Sequence, residues 1–472
     1  MQLIMFNKTI FKLLVSLCAC GAPLVVGAQS NTLDTTFNIG TGAAGGFVES
    51  MALQPDGKII ISGNFTSFNG VPHGNVARLN VDGSVDTNFV SDLGNWVRYA
   101  AIQADGKILI GGYFNNVGYE SRNLIARLNS NGSLDPTFDV GTGLTGGMGV
   151  AIDGKTNAFV FAIAVQPDQK ILVGGNFTNY NGTIRRGIVR LNTNGVLDTT
   201  FTGPGLNNWL RSMRIQTNGQ IILTGWFTEY NNRPYNRMVR VNPDGIADTN
   251  FNAYFGDLTS VYTSAGLPNG QMVVGGHTVN TNSVFQQEVV RLNTNGVYDT
   301  NFNTGGIGAN DKVESLAVQA DGKIIMVGYP SSYNGVGIQN MARLNANGTL
   351  DPTFTPNVNN WIWTTLIQPD GKILICGGFT GVNGVSLNGI ARFTSSASTP
   401  PLPILLNPKA FTNRFEVSLL TETGKNYALQ YVGSMTNTNW TSLPSVPGNG
   451  AIKTLTNSPL SATNRFYRVL QN

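Results

Sequence analysis

Short apolar runs divided by tight polar turns make up most of this chain, and nowhere does the apolar spacing of an amphipathic helix appear. One stretch shows the pattern. Val97 to Gln103 is apolar-rich and ends at Ala104-Asp105-Gly106; Lys107 to Phe114 follows as a second run. The Asp-Gly step is a hairpin signature, because glycine supplies positive φ without steric cost. After a loop, Leu124 to Asn129 reads as a third strand, Asn131-Gly132 turns the chain, and Leu134 to Phe138 reads as a fourth. The first turn recurs as Pro55-Asp56-Gly57, Ala320-Asp321-Gly322 and Pro369-Asp370-Gly371, with Asn218-Gly219 and Asn269-Gly270 as equivalents.

The unit repeats at about 50 residues. Gly63, Gly112, Gly175, Gly225, Gly276, Gly328 and Gly377 are each followed fifteen residues later by an arginine: Arg78, Arg127, Arg190, Arg240, Arg291, Arg343 and Arg392. Eleven residues after the first six of these stands a phenylalanine, from Phe89 to Phe354. Arg392 has none, but an orphan Leu33-Asp34-Thr35-Thr36-Phe37 stands at the opposite end of the array. An open solenoid gains nothing from splitting a unit between its ends, whereas a ring closes on it and loses two free edges. The fold expected is therefore all-β: a seven-bladed β-propeller of four-stranded antiparallel blades, closed by the N-terminal strand. A small β-sandwich-like domain follows, on the strand-like runs Arg414–Leu420, Asn426–Tyr431 and Arg465–Leu470.

The units resemble the Delta-60 repeat of exported bacterial β-propellers. The motifs that carry the likeness include Leu134-Asp135-Pro136-Thr137-Phe138, Gln166-Pro167-Asp168, Gly174-Gly175-Asn176-Phe177 and Val189-Arg190-Leu191-Asn192, and it spans about residues 31–394. It implies a propeller and export, and assigns no chemistry. The paired glycines also resemble kelch propellers. Less specifically, Tyr427–Tyr431, Asn439-Trp440-Thr441 and the ending Arg465-Phe466-Tyr467-Arg468-Val469 resemble a C-terminal module of secreted bacterial repeat proteins.

Composition completes the organisation. Residues 1–28 read as a secretory signal: Lys8 and Lys12, an apolar stretch from Leu13 to Val26, and Val26-Gly27-Ala28 before cleavage. Leu17-Cys18-Ala19-Cys20 faintly resembles a lipoprotein site, against which its apolar continuation argues. The propeller spans 29–394, the Ser/Thr/Pro-rich 395–403 is a linker, and 404–472 is the C-terminal module. Without its leader the chain keeps one cysteine, Cys376 in an apolar run, so intramolecular disulfides and cysteine-held zinc are excluded. The formal net charge of +4 falls to +2 once Lys8 and Lys12 are removed, too little to argue for nucleic acid. No span crosses a membrane, and the expected product is a secreted or cell-surface monomer without cofactor or metal.

The sevenfold arginine and the recurring aspartates (Asp34, Asp86, Asp135, Asp198, Asp248, Asp299, Asp351) read as scaffold, since every blade needs them identically. Variable positions point to function. Five residues before each Gln54-like position stand Glu49, Arg98, Phe161, Arg211, Tyr262, Glu314 and Trp363, starting the innermost strands at the channel mouth. A ring mixing aromatic planes, guanidiniums and carboxylates suits a carbohydrate or protein ligand. Because the identities scatter, the blades are not expected to depend on any one of them. Two residues earlier, Phe47, Trp96, Phe159, Trp209 and Trp361 read as packing between blades. The glycine-rich Gly141 to Gly149 lacks the Lys-Ser/Thr of a phosphate loop and reads as a flexible loop. The reading is a non-catalytic binding or adhesion protein. The alternative is a secreted polysaccharide hydrolase, for which Glu49 and Glu314 are the only carboxylate pair in the ring.

Overall fold

The computed structural model describes residues 32–394 except 92, 149–157, 256–257 and 279–287; elsewhere it describes 2–7, 14–17, 405–410, 414–421, 425–432, 440–449, 451–458 and 464–471. The expected linker, 395–403, and most of the leader, 1–28, lie outside the described residues. No helix occurs among the described residues. Seven three-stranded antiparallel sheets follow one another in the chain, each with its middle strand second in sequence. In the second blade Ile108–Gly112 is flanked by Val97–Ile102 on the inside and Ile125–Leu128 on the outside. The middle strands are buried up to the repeat glycine, which is why they read as short apolar runs followed by glycine.

The predicted fourth strand is shorter than its sequence suggests. It pairs through a single bridge, as in Leu128 with Leu134. Asp135 N–H then donates to Arg127 O, and the chain turns at once, with Phe138 N–H returning to Asp135 O. The aspartate ends the strand by accepting from the backbone and hydroxyl of Thr137, an Asx turn that competes with the sheet ladder.

The ring closes on the N-terminal segment. Leu33 bridges Phe393, and Asp34 N–H donates to Arg392 O at 2.8 Å, the same bond that Asp86 makes to Arg78 within the first blade. One core cluster joins Val48 and Ile59 of blade 1 to Leu374, Cys376 and Ile390 of blade 7. Each repeat arginine pairs with the aspartate of its own blade, and Arg392 pairs with Asp34 across the junction. Its guanidinium also lies over the blade's phenylalanine, 4.4 Å from Phe37 in the case of Arg392. In six of the blades its Nη1 also reaches a carbonyl of the next blade: Arg240 to Thr294 O at 2.7 Å, and Arg392 round to Val81 O at 2.8 Å. One side chain thus ties the outer edge, the aromatic plug and the neighbouring blade, which is why it recurs in every repeat.

These pairs set the acid stability. Burial works against ionisation of Asp34, but bonds from Thr36 and the charge of Arg392 outweigh it and bring the carboxyl down to about 2. Asp135, Asp198 and Asp351 lie lower still, where Lys107, Lys170 and Lys323 and the threonine hydroxyls overcome burial. A depressed carboxyl stabilises the fold above its unfolded value, about 3.9, and the contribution is lost as pH falls through the folded value. The melting temperature should therefore hold down to about pH 4 and fall steeply between about pH 4 and 2. Thermal melts across that range check it; a fall already complete above about pH 5 would exclude these aspartates as its cause.

Beyond the propeller, Leu405–Ala410, Phe415–Leu420 and Ile452–Asn457 form one sheet. Asn426–Val432 pairs with Asn464–Gln471 in another. Gln2–Asn7 adds to the far side of Asn464–Gln471, and Leu14–Leu17 pairs with Gln2–Asn7. Phe415, Val417 and Leu419 meet Tyr427, Leu429 and Tyr467 in a shared core, with Phe415 and Tyr467 stacked at 4.1 Å.

Candidate functional site

Every inner strand carries a β-bulge where it passes the repeat glycine. Val97 pairs with Gly112 and Tyr99 with Gly111, so Arg98 is the extra, unpaired residue. The same break leaves Glu49, Phe161, Arg211, Tyr262, Glu314 and Trp363 as the extra residues of the other six blades. The glycine permits it. A Cβ added at Gly112 would lie 2.3 Å from Trp96 O, and in all seven blades the corresponding distance to a backbone oxygen is 1.9–2.3 Å. No side chain fits there, so the two backbones close up and the bulge re-aims one residue per blade towards the axis. All seven predicted ring residues line a single cavity of about 330 Å³ on that axis. Six of them, all but Glu49, also line a second cavity of about 250 Å³ at the mouth, so the ring is the partition between the two.

The charges of the ring are paired. Arg98 Nη1 lies 3.0 Å from Glu49 Oε1, and Arg211 Nη2 bonds Glu314 Oε2 at 2.6 Å across the channel. Trp96 Nε1 donates to the other oxygen of Glu49. Glu49 is 5% exposed, and its burial raises its pKa despite Arg98 and Trp96. Burial, and then the charge of Arg211, brings Arg98 down to about 10, so it stays a cation at neutral pH. Both guanidiniums sit among aromatic faces: Arg98 is 4.9 Å from Phe161 and 5.6 Å from Trp363, and Arg211 is 5.3 Å from Tyr262.

This pairing corrects one expectation. The charged ring residues are not dispensable to the fold, because removing Arg98 would leave the buried Glu49 carboxylate uncompensated. Trp363, uncharged, carries no such penalty. Its indole Nε1 is buried and has no hydrogen-bond partner.

The aromatics two residues before the ring do bridge blades. Phe47 meets Trp96 edge-on at 6.2 Å, and Trp96 meets Phe159 at 6.3 Å. A series of ring contacts runs on through Phe159, Phe161, Trp209 and Trp226, stacked at its two ends and tilted between Phe161 and Trp209. Trp226, Tyr329 and Lys312 line the mouth and were not foreseen. For Trp226 and Tyr329 a signal existed: the residue after each repeat glycine also scatters, as Asn64, Tyr113, Asn176, Trp226, His277, Tyr329 and Gly378. Two further readings are settled. Cys376 is fully buried, with its pKa pushed up by that burial, as expected of an inert thiol. Part of the supposed flexible glycine loop is instead a strand, Leu144–Gly147 on Phe177–Tyr180, while Gly149 lies outside the described residues. Among the described residues no cluster of His, Cys, Asp and Glu could hold a metal ion.

A family model described as a β-propeller domain of unknown function (DUF5122) matches residues 54–89, 103–138, 166–201, 216–251, 267–302, 319–354 and 368–398. No curated protein matches the chain in sequence. Among solved structures it is similar to a streptogramin B lyase, at 12% identity and a TM-score of 0.48, covering 76% of this chain and 96% of that one. It is also similar to PorZ, a surface component of the type-IX secretion system of Porphyromonas gingivalis, at 11% identity and a TM-score of 0.42; 91% of this chain and 60% of PorZ are covered. A third is the extracellular domain of a putative hybrid two-component system from B. thetaiotaomicron, at 12% identity and a TM-score of 0.26, over 89% and 67% of the two chains.

Proposed function

From the premise that this chain belongs to the DUF5122 β-propeller family, we propose that it is an exported, non-catalytic protein that binds carbohydrate at the channel mouth. The mouth itself carries the reading. Trp96, Trp209, Trp226, Tyr262, Tyr329 and Trp363 converge on one cavity with Arg98 and Arg211, whose charges are already matched by Glu49 and Glu314. Aromatic faces with a few fixed polar groups suit the apolar face and hydroxyls of a sugar ring. Export rests on the leader-like residues 1–28, and the remaining connector surface is the ground for a protein partner instead. Against hydrolysis, both ring carboxylates are held in ion pairs, and Glu49 lines the inner cavity but not the mouth.

A glycan array on the purified chain, followed by calorimetry on the best ligand, tests the reading. Trp226→Ala and Trp363→Ala should each weaken binding at least tenfold, about 1.4 kcal/mol, with little change in melting temperature. If no glycan binds, the protein-partner reading replaces this one. If the bound glycan is cleaved and Glu49→Gln or Glu314→Gln stops it, the protein is a hydrolase.

A further inference from the structure

Below the ring, one blade breaks the repeat in a way that neither the fold nor the mouth requires. Two residues before the Gln54-like position the blades carry Ala52, Ala101, Ala164, Ala265 and Ala317, and Leu366 in the seventh; the fourth carries Arg214. At the next position they carry Leu53, Ile102, Val165, Ile215, Val318 and Ile367, but the fifth carries Gly266. The two departures are one feature. A Cβ added at Gly266 would lie 2.5 Å from Arg214 Nη2 and 2.8 Å from its Cζ, so the guanidinium occupies the space that a side chain fills in the other blades. Gly266 is the last residue of the strand Leu258–Gly266 and has no positive φ, so room for Arg214, and not backbone geometry, accounts for the glycine.

Arg214 lines the inner cavity together with the hydroxyl-bearing Ser212, Thr263, Ser264, Ser315 and Thr364. The seven repeat arginines and both ring arginines are ion-paired. Among the described residues Arg214 has no such partner, and burial lowers its pKa with no acidic group there to offset it. Ser264 Oγ is likewise buried and unpartnered. A desolvated guanidinium in a cavity lined with hydroxyls is a receptor for a carboxylate or sulfate, whose oxygens match its forked donors.

We propose that Arg214, in the space cleared by Gly266, forms an oxyanion-binding site in the inner cavity, one that takes the acidic group of a charged sugar or a free oxyanion. It extends the mouth reading inwards but rests on different residues. Calorimetry at low ionic strength with sodium glucuronate, sodium sulfate and glucose tests it, on the parent and on the double variant Arg214→Ala, Gly266→Val, which restores the pattern of the other blades and is expected to fold. The parent should bind at least one anion, more weakly as salt rises. The double variant should lose at least tenfold in affinity for it. Gly266→Ala alone should do the same by displacing the guanidinium. Preference for glucuronate over sulfate assigns the site to sugar-borne carboxylates, and equal affinity assigns it to free oxyanions; both uphold it. A parent that binds neither anion, or a double variant that binds like the parent, overturns it. Trp226→Ala separates the two proposals, since it should weaken neutral-glycan binding and leave the anion affinity intact.

Discussion

Deleting Thr32 to Asn38 should cost the propeller most of its stability. The segment supplies Leu33 to the outer edge of blade 7, Asp34 to Arg392 and Lys372, and Phe37 to the core. The Arg392 side chain is 3% exposed, and stripping a buried charge of its partner costs about 3–5 kcal/mol. Losing a buried phenylalanine costs a further 3–5 kcal/mol or so, against a typical total of about 5–15 kcal/mol. Denaturant melts should therefore show a chain largely unfolded or marginally stable at 37 °C. A permutant that begins after Asn38 and carries a copy of residues 345–349 followed by 33–38 directly after Phe393 should recover the parent's stability, because it rebuilds the split blade in the register of the sixth. If the deletion melts like the parent, ring closure is not what holds the blades together.

Gly225→Ala should damage the site more than the fold. The new Cβ would lie 2.1 Å from Trp209 O and 3.0 Å from Arg211 N. Both are backbone atoms that cannot swing aside, so the strands must part and the bulge open. Overpacking of this kind costs about 1–3 kcal/mol, and parting the Arg211–Glu314 pair adds to it, against a typical total of about 5–15 kcal/mol. The functional loss is larger, because without the bulge Arg211 shifts in the pleat and its bond to Glu314 across the channel is broken. Binding at the mouth should fall at least tenfold, and a crystal structure should show Arg211 withdrawn from Glu314. Gly337→Ala is the control: its added Cβ meets nothing within 4 Å and should leave both stability and binding unchanged. Equal behaviour of the two variants would show that the repeat glycine is not what aims the ring.

The blades were legible because their chemistry is repeated. A glycine, an arginine and a phenylalanine at constant spacing, seven times with one unit split, leave few architectures other than a closed ring. The candidate ring was legible for the opposite reason, since Glu49, Arg98 and their five equivalents stand at a constant position and differ in kind. The Phe47-like aromatics were likewise readable as packing, because five blades share them. Less legible was the outer strand, whose apolar pattern in Leu134 to Phe138 looks longer than the single bridge it makes; the Asx turn at Asp135 ends the pairing, and periodicity does not report it.

What the sequence alone determined was therefore everything that recurs in register: the number of blades, the meeting of the chain ends, and the seven positions facing the axis. Which of those positions touch was decided only in three dimensions. Glu49 pairs with Arg98 one blade away, and Arg211 with Glu314 two blades away, because a closed channel brings together strands that are far apart in the chain. The coupling of Arg214 to Gly266 has the same origin. Each looks like an isolated lapse in its own repeat, and only the packing of one inner strand against the next shows that the glycine's missing side chain is the space the guanidinium fills.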